Sequence, residues 1–201
     1  MGEKQASKAG SAADIQETEN RIMKWLAVKV DRGRYAHSLR VMKLIPRLAE
    51  AHGVAPMPLR LAALLHDSAR GMSDEEMLAA AERWKVAVRP LDRDCPVLLH
   101  GRLAVELARR ELGVNEPAVV TAVLYHTAGH PRMSLSDKLL FLADMIEPAR
   151  RIERVDELRS VSYRDVDRAV LLAIAINRRH LAARGRPMDP VTLELEHALT
   201  S

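Results

Sequence analysis

The chain has 201 residues, enough for one domain with a single hydrophobic core. Hydrophobic residues make up 48% of the chain and aromatic residues only 3%, so aliphatic side chains and Met must build the core, which favours helices. The 31 basic and 27 acidic residues are interspersed and few aromatics are available for base stacking, so we expect no nucleic-acid partner. A single Cys and the lack of a long apolar run lead us to expect a cytoplasmic protein without a membrane partner.

Helical periodicity runs through most of the chain, and we predict an all-α fold, a helical bundle of one domain. Residues 1–13 have the composition of a disordered leader, residues 14–185 form the domain, and residues 186–201 contain a short docking helix. Hydrophobic spacing and capping residues predict helices over 14–29, 34–52, 58–70, 73–84, 100–113, 115–125, 136–144, 156–161, 163–183 and 190–199. Residues 85–96 and 128–134 are predicted to be loops, and the second is rich in groups that can bind phosphate.

The stretch Ala63-Leu64-Leu65-His66-Asp67 places two polar side chains directly after an apolar helical segment. Both are predicted to be at least partly buried, where a carboxylate is strongly unfavourable unless it is paired or bound to a metal. For this dipeptide alone, a capped helix end with a buried His–Asp hydrogen bond is the simpler interpretation. An imidazole beside a carboxylate also suits a divalent metal ion, and a bridging carboxylate can serve two such ions.

Further residues of metal-ligand type end or interrupt apolar helical stripes elsewhere in the chain: His37, His100, His126 and Asp144. Singly, each has an ordinary explanation, as a core histidine or, for Asp144, as a buried ion pair with Arg150. Together with His66 and Asp67 they supply ligands for two divalent ions about 3.5–4 Å apart, with Asp67 bridging. Such a pair suits hydrolysis of a phosphoanhydride, because the ions activate water and offset charge on phosphoryl oxygens.

The segments around these residues resemble the YqeK family within the HD-domain phosphohydrolase superfamily. The resemblance covers about residues 20–180, and it lies in Arg34-Tyr35-Ala36-His37-Ser38, Ala63-Leu64-Leu65-His66-Asp67, Leu99-His100-Gly101, His126-Thr127-Ala128-Gly129 and Phe141-Leu142-Ala143-Asp144-Met145-Ile146-Glu147-Pro148. It implies an all-helical HD domain with a dinuclear metal centre between central helices. Iron is the expected metal, with Mn, Co or Mg as alternatives, and the implied reaction is symmetric hydrolysis of diadenosine tetraphosphate to two ADP.

The resemblance also implies roles for individual residues. The implied metal ligands, among which His66 and Asp67 form the catalytic pair, are His37, His66, Asp67, His100, His126 and Asp144. The expected substrate-binding residues, each of which could instead be a solvated loop residue, are Arg34, Arg70, Thr127, Gly129, His130 and Arg150. Two positions depart from the family, because Arg70 stands where Lys is common and Ala128 where a second Thr is common. Arg brings a planar fork in place of a compact ammonium, so phosphate geometry or substrate preference can differ.

Two other functions stay open on the sequence alone. The chain could be an HD phosphohydrolase for another nucleotide, such as a deoxynucleotide or a cyclic dinucleotide, or a helical module that binds metal or nucleotide without turnover. The complete ligand set favours an enzyme. A homodimer is also compatible with the sequence, since apolar residues on the terminal helices suit either dimerisation or packing. We expect His52, His180 and His197, which lie outside the motifs, to be dispensable.

Overall fold

The computed structural model describes residues 12–201, and every regular element in that range is helical, as predicted. The α-helices of this range are α1 (Ala12–Lys29), α2 (Arg32–Ala51), α3 (Pro56–Leu65), α4 (Asp74–Trp84), α5 (Pro90–Asp94), α6 (His100–Leu112), α7 (Pro117–Tyr125), α8 (Leu135–Ile146), α9 (Val155–Ser162), α10 (Val166–Ala182) and α11 (Pro190–Thr200). Two short 3₁₀ turns, Ser68–Gly71 and Pro96–Leu99, precede α4 and α6. None of the helices described is long and apolar enough to cross a membrane.

Helix starts follow local sequence signals. The predicted capping box before α4 is confirmed, because Ser73 accepts from the backbone N–H of Glu76 while the Glu76 carboxylate accepts from the backbone N–H of Ser73. Asp31 caps α2 by accepting from the backbone N–H of Arg34 at 3.0 Å. Pro117 lies in the first turn of α7, where its missing N–H has no consequence.

The centre of the bundle is formed by four helices, in which α2 packs on α3 and α8, and α7 packs on α3 and α8. Helix α6 joins this group against α7, α10 packs on α8 and α9, and α11 packs on α10. Fully buried Leu and Ile side chains fill the space between the central helices, among them Ile45, Leu48, Leu64, Leu65 and Leu139. Because α2, α3, α7 and α8 meet here, residues at their ends that face inward are brought close together.

The helix predicted over residues 58–70 is shorter than expected: α3 begins at Pro56 and ends at Leu65. The Nδ1 atom of His66 lies 2.8 Å from the carbonyl oxygen of Ala63. In a continued α-helix that carbonyl would accept from the backbone N–H of Asp67. The His66 side chain therefore competes with the helix, and Asp67 takes a non-helical conformation before the 3₁₀ turn.

Other boundaries also differ from the prediction. The predicted loop over 85–96 contains α5, because the Asp92 carboxylate accepts from the backbone N–H of Arg89 at 2.7 Å and closes a first turn. Asn115 is not the cap of α7, whose N-cap is Glu116. Helix α8 begins at Leu135, one residue early, because Ser134 and Asp137 form a capping box. Helix α1 begins at Ala12, and the rest of the predicted disordered leader lies outside the described residues.

Candidate metal centre

Three histidines stand at ends of helical segments, and each is held by a carbonyl oxygen three residues earlier. The Nδ1 atoms of His66, His100 and His126 lie 2.8, 2.5 and 2.6 Å from the carbonyl oxygens of residues 63, 97 and 123. The last carbonyls of a helix have no backbone donor, so they are natural acceptors for a ring N–H. Since Nδ1 carries the proton in each ring, Nε2 presents its lone pair to the centre of the protein.

His100 and His126 are buried and uncharged at neutral pH. Burial lowers the pKa of His100 to about 4, although the charge on Asp67 opposes the shift. Burial also lowers the pKa of His126 to about 3, with His100 and His66 adding to the effect. Neutral imidazole is the protonation state that binds metal.

The structure brings all six predicted metal ligands together, in two groups that meet at Asp67. The first group is formed by His37, His66 and Asp67, and the second by Asp67, His100 and His126. Asp144 joins the first group, because its Oδ1 atom lies 2.8 Å from Nε2 of His37 and 3.9 Å from Nε2 of His66. The two oxygens of Asp67 point to different groups, Oδ2 to His66 at 3.8 Å and Oδ1 to His100 at 3.4 Å.

The donor atoms of these groups fit divalent cations. Nε2 of His100 lies 2.9 Å from Nε2 of His126, and with both protons on Nδ1 the two lone pairs face each other with no hydrogen between them. The two lone pairs repel each other, whereas a cation bound between them would attract both nitrogens. His66 and His37 also bring two ring nitrogens together, with their Nε2 atoms 3.3 Å apart. Imidazole and carboxylate donors suit borderline divalent ions such as Fe, Mn, Co or Zn.

The two carboxylates are held in their ionised form by the positive charges around them. Burial opposes ionisation of Asp67, yet its pKa is lowered, because His66, His100 and His126 attract its carboxylate when these rings are protonated in acid. Arg34 Nη1 donates to Asp67 Oδ2 at 2.6 Å. Burial likewise opposes ionisation of Asp144, but the hydrogen bond with His37 and the charges of the neighbouring His66 and Arg150 together outweigh burial and lower its pKa. The ion pair between Asp144 and Arg150 that the sequence offered as a simpler explanation is also formed, with Arg150 Nη2 2.5 Å from Asp144 Oδ1.

Glu147 is a functional residue to which the sequence analysis gave no role. Its side chain is buried, and its Oε1 atom lies 3.2 Å from Nδ1 of His37, so it orients the one metal-site histidine that lacks a carbonyl partner. Arg40 donates to both oxygens of Glu147, at 2.7 and 3.1 Å. Burial alone would raise its pKa, but these bonds and the backbone N–H of Ala149 lower it to about 2. The sequence feature that could have indicated Glu147 is its position close to Asp144, within the segment 141–148 that resembles the family.

A cavity of about 920 Å³ opens over the metal-site side chains. Four of the six residues expected to bind substrate line it: Arg34, Arg70, Thr127 and Arg150. The Thr127 hydroxyl oxygen lies 3.1 Å from Nε2 of His100 and 3.2 Å from Nε2 of His126, so it reaches the metal ligands directly. Arg70 is half-buried and has no carboxylate partner among the side chains that the structure describes.

The structure does not bring Gly129 and His130 to this cavity. Gly129 has φ +73°, and a Cβ atom there would lie 2.4 Å from Leu195, so glycine is needed for the turn that packs against α11. His130 stacks on Tyr125 with ring centroids 4.6 Å apart. Both residues shape the loop after α7, while their neighbour Thr127 faces the site.

The histidines expected to be dispensable have different surroundings. His52 Nε2 lies 2.8 Å from the carbonyl oxygen of Ser162, away from the metal ligands, and His197 is exposed on α11. His180, by contrast, lines the large cavity and is therefore unsuitable as a negative control.

Comparisons with known proteins agree with this geometry. A family model described as HD domain matches residues 34–149, more than half of the chain. The chain is 35% identical over 159 residues to the symmetrical bis(5'-nucleosyl)-tetraphosphatase of Bacillus subtilis (strain 168), with 79% of this chain and 85% of that protein covered. The chain belongs to the YqeK family of HD-domain proteins. A second relative of this YqeK-family chain, the symmetrical bis(5'-nucleosyl)-tetraphosphatase of Halalkalibacterium halodurans, is 32% identical over 160 residues, which cover 80% of this chain and 85% of that protein.

The fold of this YqeK-family chain also matches a solved structure. The crystal structure of a predicted HD superfamily hydrolase involved in NAD metabolism from Clostridium acetobutylicum superposes with a TM-score of 0.86 at 30% identity. The superposition covers 90% of this chain and 96% of that one. The matched HD region of the YqeK-family chain runs from residue 34 to residue 149, so it contains all six residues predicted to bind metal, together with Glu147.

Proposed function

We propose that the protein hydrolyses diadenosine tetraphosphate symmetrically to two ADP, in a reaction that depends on divalent metal ions. The observation that carries this proposal is the position of Asp67. Its two oxygens face different histidine groups, Oδ2 towards His66 and Oδ1 towards His100 and His126. Relatives that share the HD domain carry the name symmetrical bis(5'-nucleosyl)-tetraphosphatase, and a carboxylate shared by two ion sites suits their phosphoanhydride chemistry.

Each ion would have its own protein ligands. His37, His66, Asp67 and Asp144 would hold one ion, and Asp67, His100 and His126 would hold the other. Bound divalent ions supply Lewis acidity towards phosphoryl oxygens and lower the pKa of bound water. We propose iron as the native metal, with Mn, Co or Mg as alternatives, because the donors mix imidazole and carboxylate.

The surrounding arginines are placed to bind the phosphates. Hydrolysis forms a bond from a water oxygen to one central phosphorus and breaks its bond to the bridging oxygen, which leaves with the second ADP. The phosphoryl oxygens carry negative charge throughout the reaction, and a planar guanidinium group can bind two such oxygens at once. Arg34 and Arg150 are fixed by Asp67 and Asp144, while Arg70 keeps all its donors for substrate. The Thr127 hydroxyl lies within hydrogen-bonding distance of two metal-site nitrogens and positions the reacting phosphate.

The partners of the protein follow from the same site. We propose that its partner is a dinucleoside polyphosphate substrate, without nucleic acid or membrane. A cytoplasmic location is supported by the single Cys, which suits a reducing compartment. A homodimer stays a prediction that the oligomeric state in solution would test.

Product analysis tests the proposed reaction. Metal-loaded protein is incubated anaerobically with diadenosine tetraphosphate, and the nucleotides are separated by chromatography. ADP as the sole product is the expected result. AMP with ATP would place the cleavage off centre and contradict the symmetric reaction. A metal-bound protein without turnover would instead favour another nucleotide or a binding module.

A further inference from the structure

A second cavity adjoins the candidate metal centre, where His37 and Glu147 are among its lining residues. It has a volume of about 480 Å³ and lies between the start of α2 and the segment that follows α8. Arg34, Arg150, Arg151 and Ile152 line both this small cavity and the large one. The two cavities therefore share a wall, and that wall stands beside the site carboxylates.

The shared wall is fixed to the site by ion pairs. Arg34 is bound to Asp67, and Arg150 is bound to Asp144. His37 lines the small cavity, whereas His100 and His126 line the large one. A polyphosphate lying across the metal centre would thus contact the residues of both cavities.

The two cavities differ in chemistry. The large cavity has an apolar region formed by Phe141, Ile176 and Leu181, which can receive a nucleobase. Arginines line both cavities, five in the large one and four in the small one, but the small cavity has little apolar surface, mainly Ile152. Such a surface binds phosphate well and offers a base little to stack on.

Arg151 is the arginine of the small cavity that is available for a ligand. Arg34, Arg40 and Arg150 each bind a carboxylate, and Arg40 neutralises Glu147. Arg151 is exposed, its Nη1 atom donates to the carbonyl oxygens of Pro148 and Arg150, and no described carboxylate pairs with it. The cavity also contains Asp31, whose carboxylate is used to cap α2.

We propose that the two halves of the substrate occupy these unlike cavities, one nucleoside diphosphate half in the large cavity and the phosphates of the other half in the small cavity, bound by Arg151. The inference rests on the proposed symmetric hydrolysis and adds an assignment of the two ends. The large cavity selects the base, and the small cavity binds phosphate with little regard to the base. After cleavage, each ADP is left in its own cavity.

Calorimetric titration of the metal-loaded protein with ADP tests this assignment. Wild-type protein is expected to bind two ADP per chain. Arg151→Ala should weaken one of the two sites roughly tenfold, as expected for loss of a charge-assisted hydrogen bond, and the other site less, because Arg151 also lines the large cavity. Arg151 is exposed, so this variant should fold normally. Leu181→Asp, at a position that lines only the large cavity, should weaken mainly the other site.

Arg32→Ala is the matched control. Arg32 is exposed at the same end of α2 but lines neither cavity, so its removal should leave both ADP sites unchanged. One ADP per wild-type chain, or an Arg151→Ala variant that binds ADP like wild type or loses both sites equally, would overturn the assignment. The same preparation is assayed with diadenosine tetraphosphate. If the protein binds two ADP but forms no ADP from diadenosine tetraphosphate, the proposed function is refuted and the assignment of the two ADP sites stands. If it forms ADP but binds only one ADP per chain, the proposed function stands and the assignment is refuted.

Discussion

Replacing Glu147 with Gln tests whether this buried carboxylate organises the metal centre. The substitution keeps the shape of the side chain but removes the charge shared by Arg40 and His37. A pKa lowered from 4.5 to about 2 corresponds to about 3 kcal/mol, at about 1.4 kcal/mol for each pKa unit. The amide also turns a donor towards Arg40, so we expect a loss of about 2–3 kcal/mol in the free energy of unfolding. Metal affinity should fall about 10–100-fold, because a neutral amide oxygen orients His37 less strongly than the carboxylate does.

Urea denaturation of the metal-free protein measures the first effect, and competition with a chelator measures the second. The pKa of Glu147 is lower in the folded protein, so its contribution to stability is complete above pH 4.5 and is lost as the pH falls towards about 2. The Gln variant should lack this part of the acid dependence. Glu157→Gln, at an exposed position paired with Arg154, serves as the control and should change neither quantity. Wild-type stability and metal affinity in Glu147→Gln would refute the reasoning.

Three further predictions concern the ligand set, the phosphate site and a distant ion pair. Asp67→Ala should abolish metal retention and hydrolysis while circular dichroism still shows a helical protein; full activity would contradict the shared-carboxylate arrangement. Arg70→Ala should lower kcat/KM for diadenosine tetraphosphate about 10–100-fold, with partial recovery in Arg70→Lys, and an unchanged kcat/KM would remove Arg70 from the phosphate site. Asp92→Asn should reduce the free energy of unfolding by about 2–3 kcal/mol at pH 7, because Asp92 is buried and paired with Arg89 and Arg102. Burial opposes ionisation of Asp92, but these bonds lower its pKa below 3.8. The contribution of Asp92 to the free energy of unfolding is therefore present above pH 3.8 and is lost at lower pH. Denaturation curves with the same acid dependence for variant and wild type would contradict this prediction.

Local sequence signals were enough to predict most of the helices and to indicate the six side chains that the structure brings together at the candidate metal centre. Each of His66, His100 and His126 follows an apolar stretch, and in the structure each ring N–H binds a carbonyl near the end of that stretch. The pattern that made these residues noticeable is therefore the same local geometry that orients their Nε2 atoms. Asp144 could be predicted for a similar reason, since a carboxylate within an apolar helix needs partners.

What the sequence could not predict depends on contacts between distant residues. Glu147 acts through His37, which is 110 residues away in the chain, so its role appears only when α2 and α8 pack together. Helix α5 is short and has little intrinsic stability, but Arg89 binds both Asp92 and Asp189, which is 100 residues further along. Gly129 was expected to bind substrate, but Leu195 of α11 packs against it, a contact that no local pattern indicates.

The most direct test of the central claim is hydrolysis of diadenosine tetraphosphate by the metal-loaded protein in ¹⁸O-labelled water, followed by mass spectrometry of the products. If water attacks a central phosphorus, one of the two ADP molecules from each turnover should carry a single ¹⁸O atom, on its terminal phosphate. Label in AMP or ATP would show cleavage of an outer phosphoanhydride bond and would contradict the symmetric reaction.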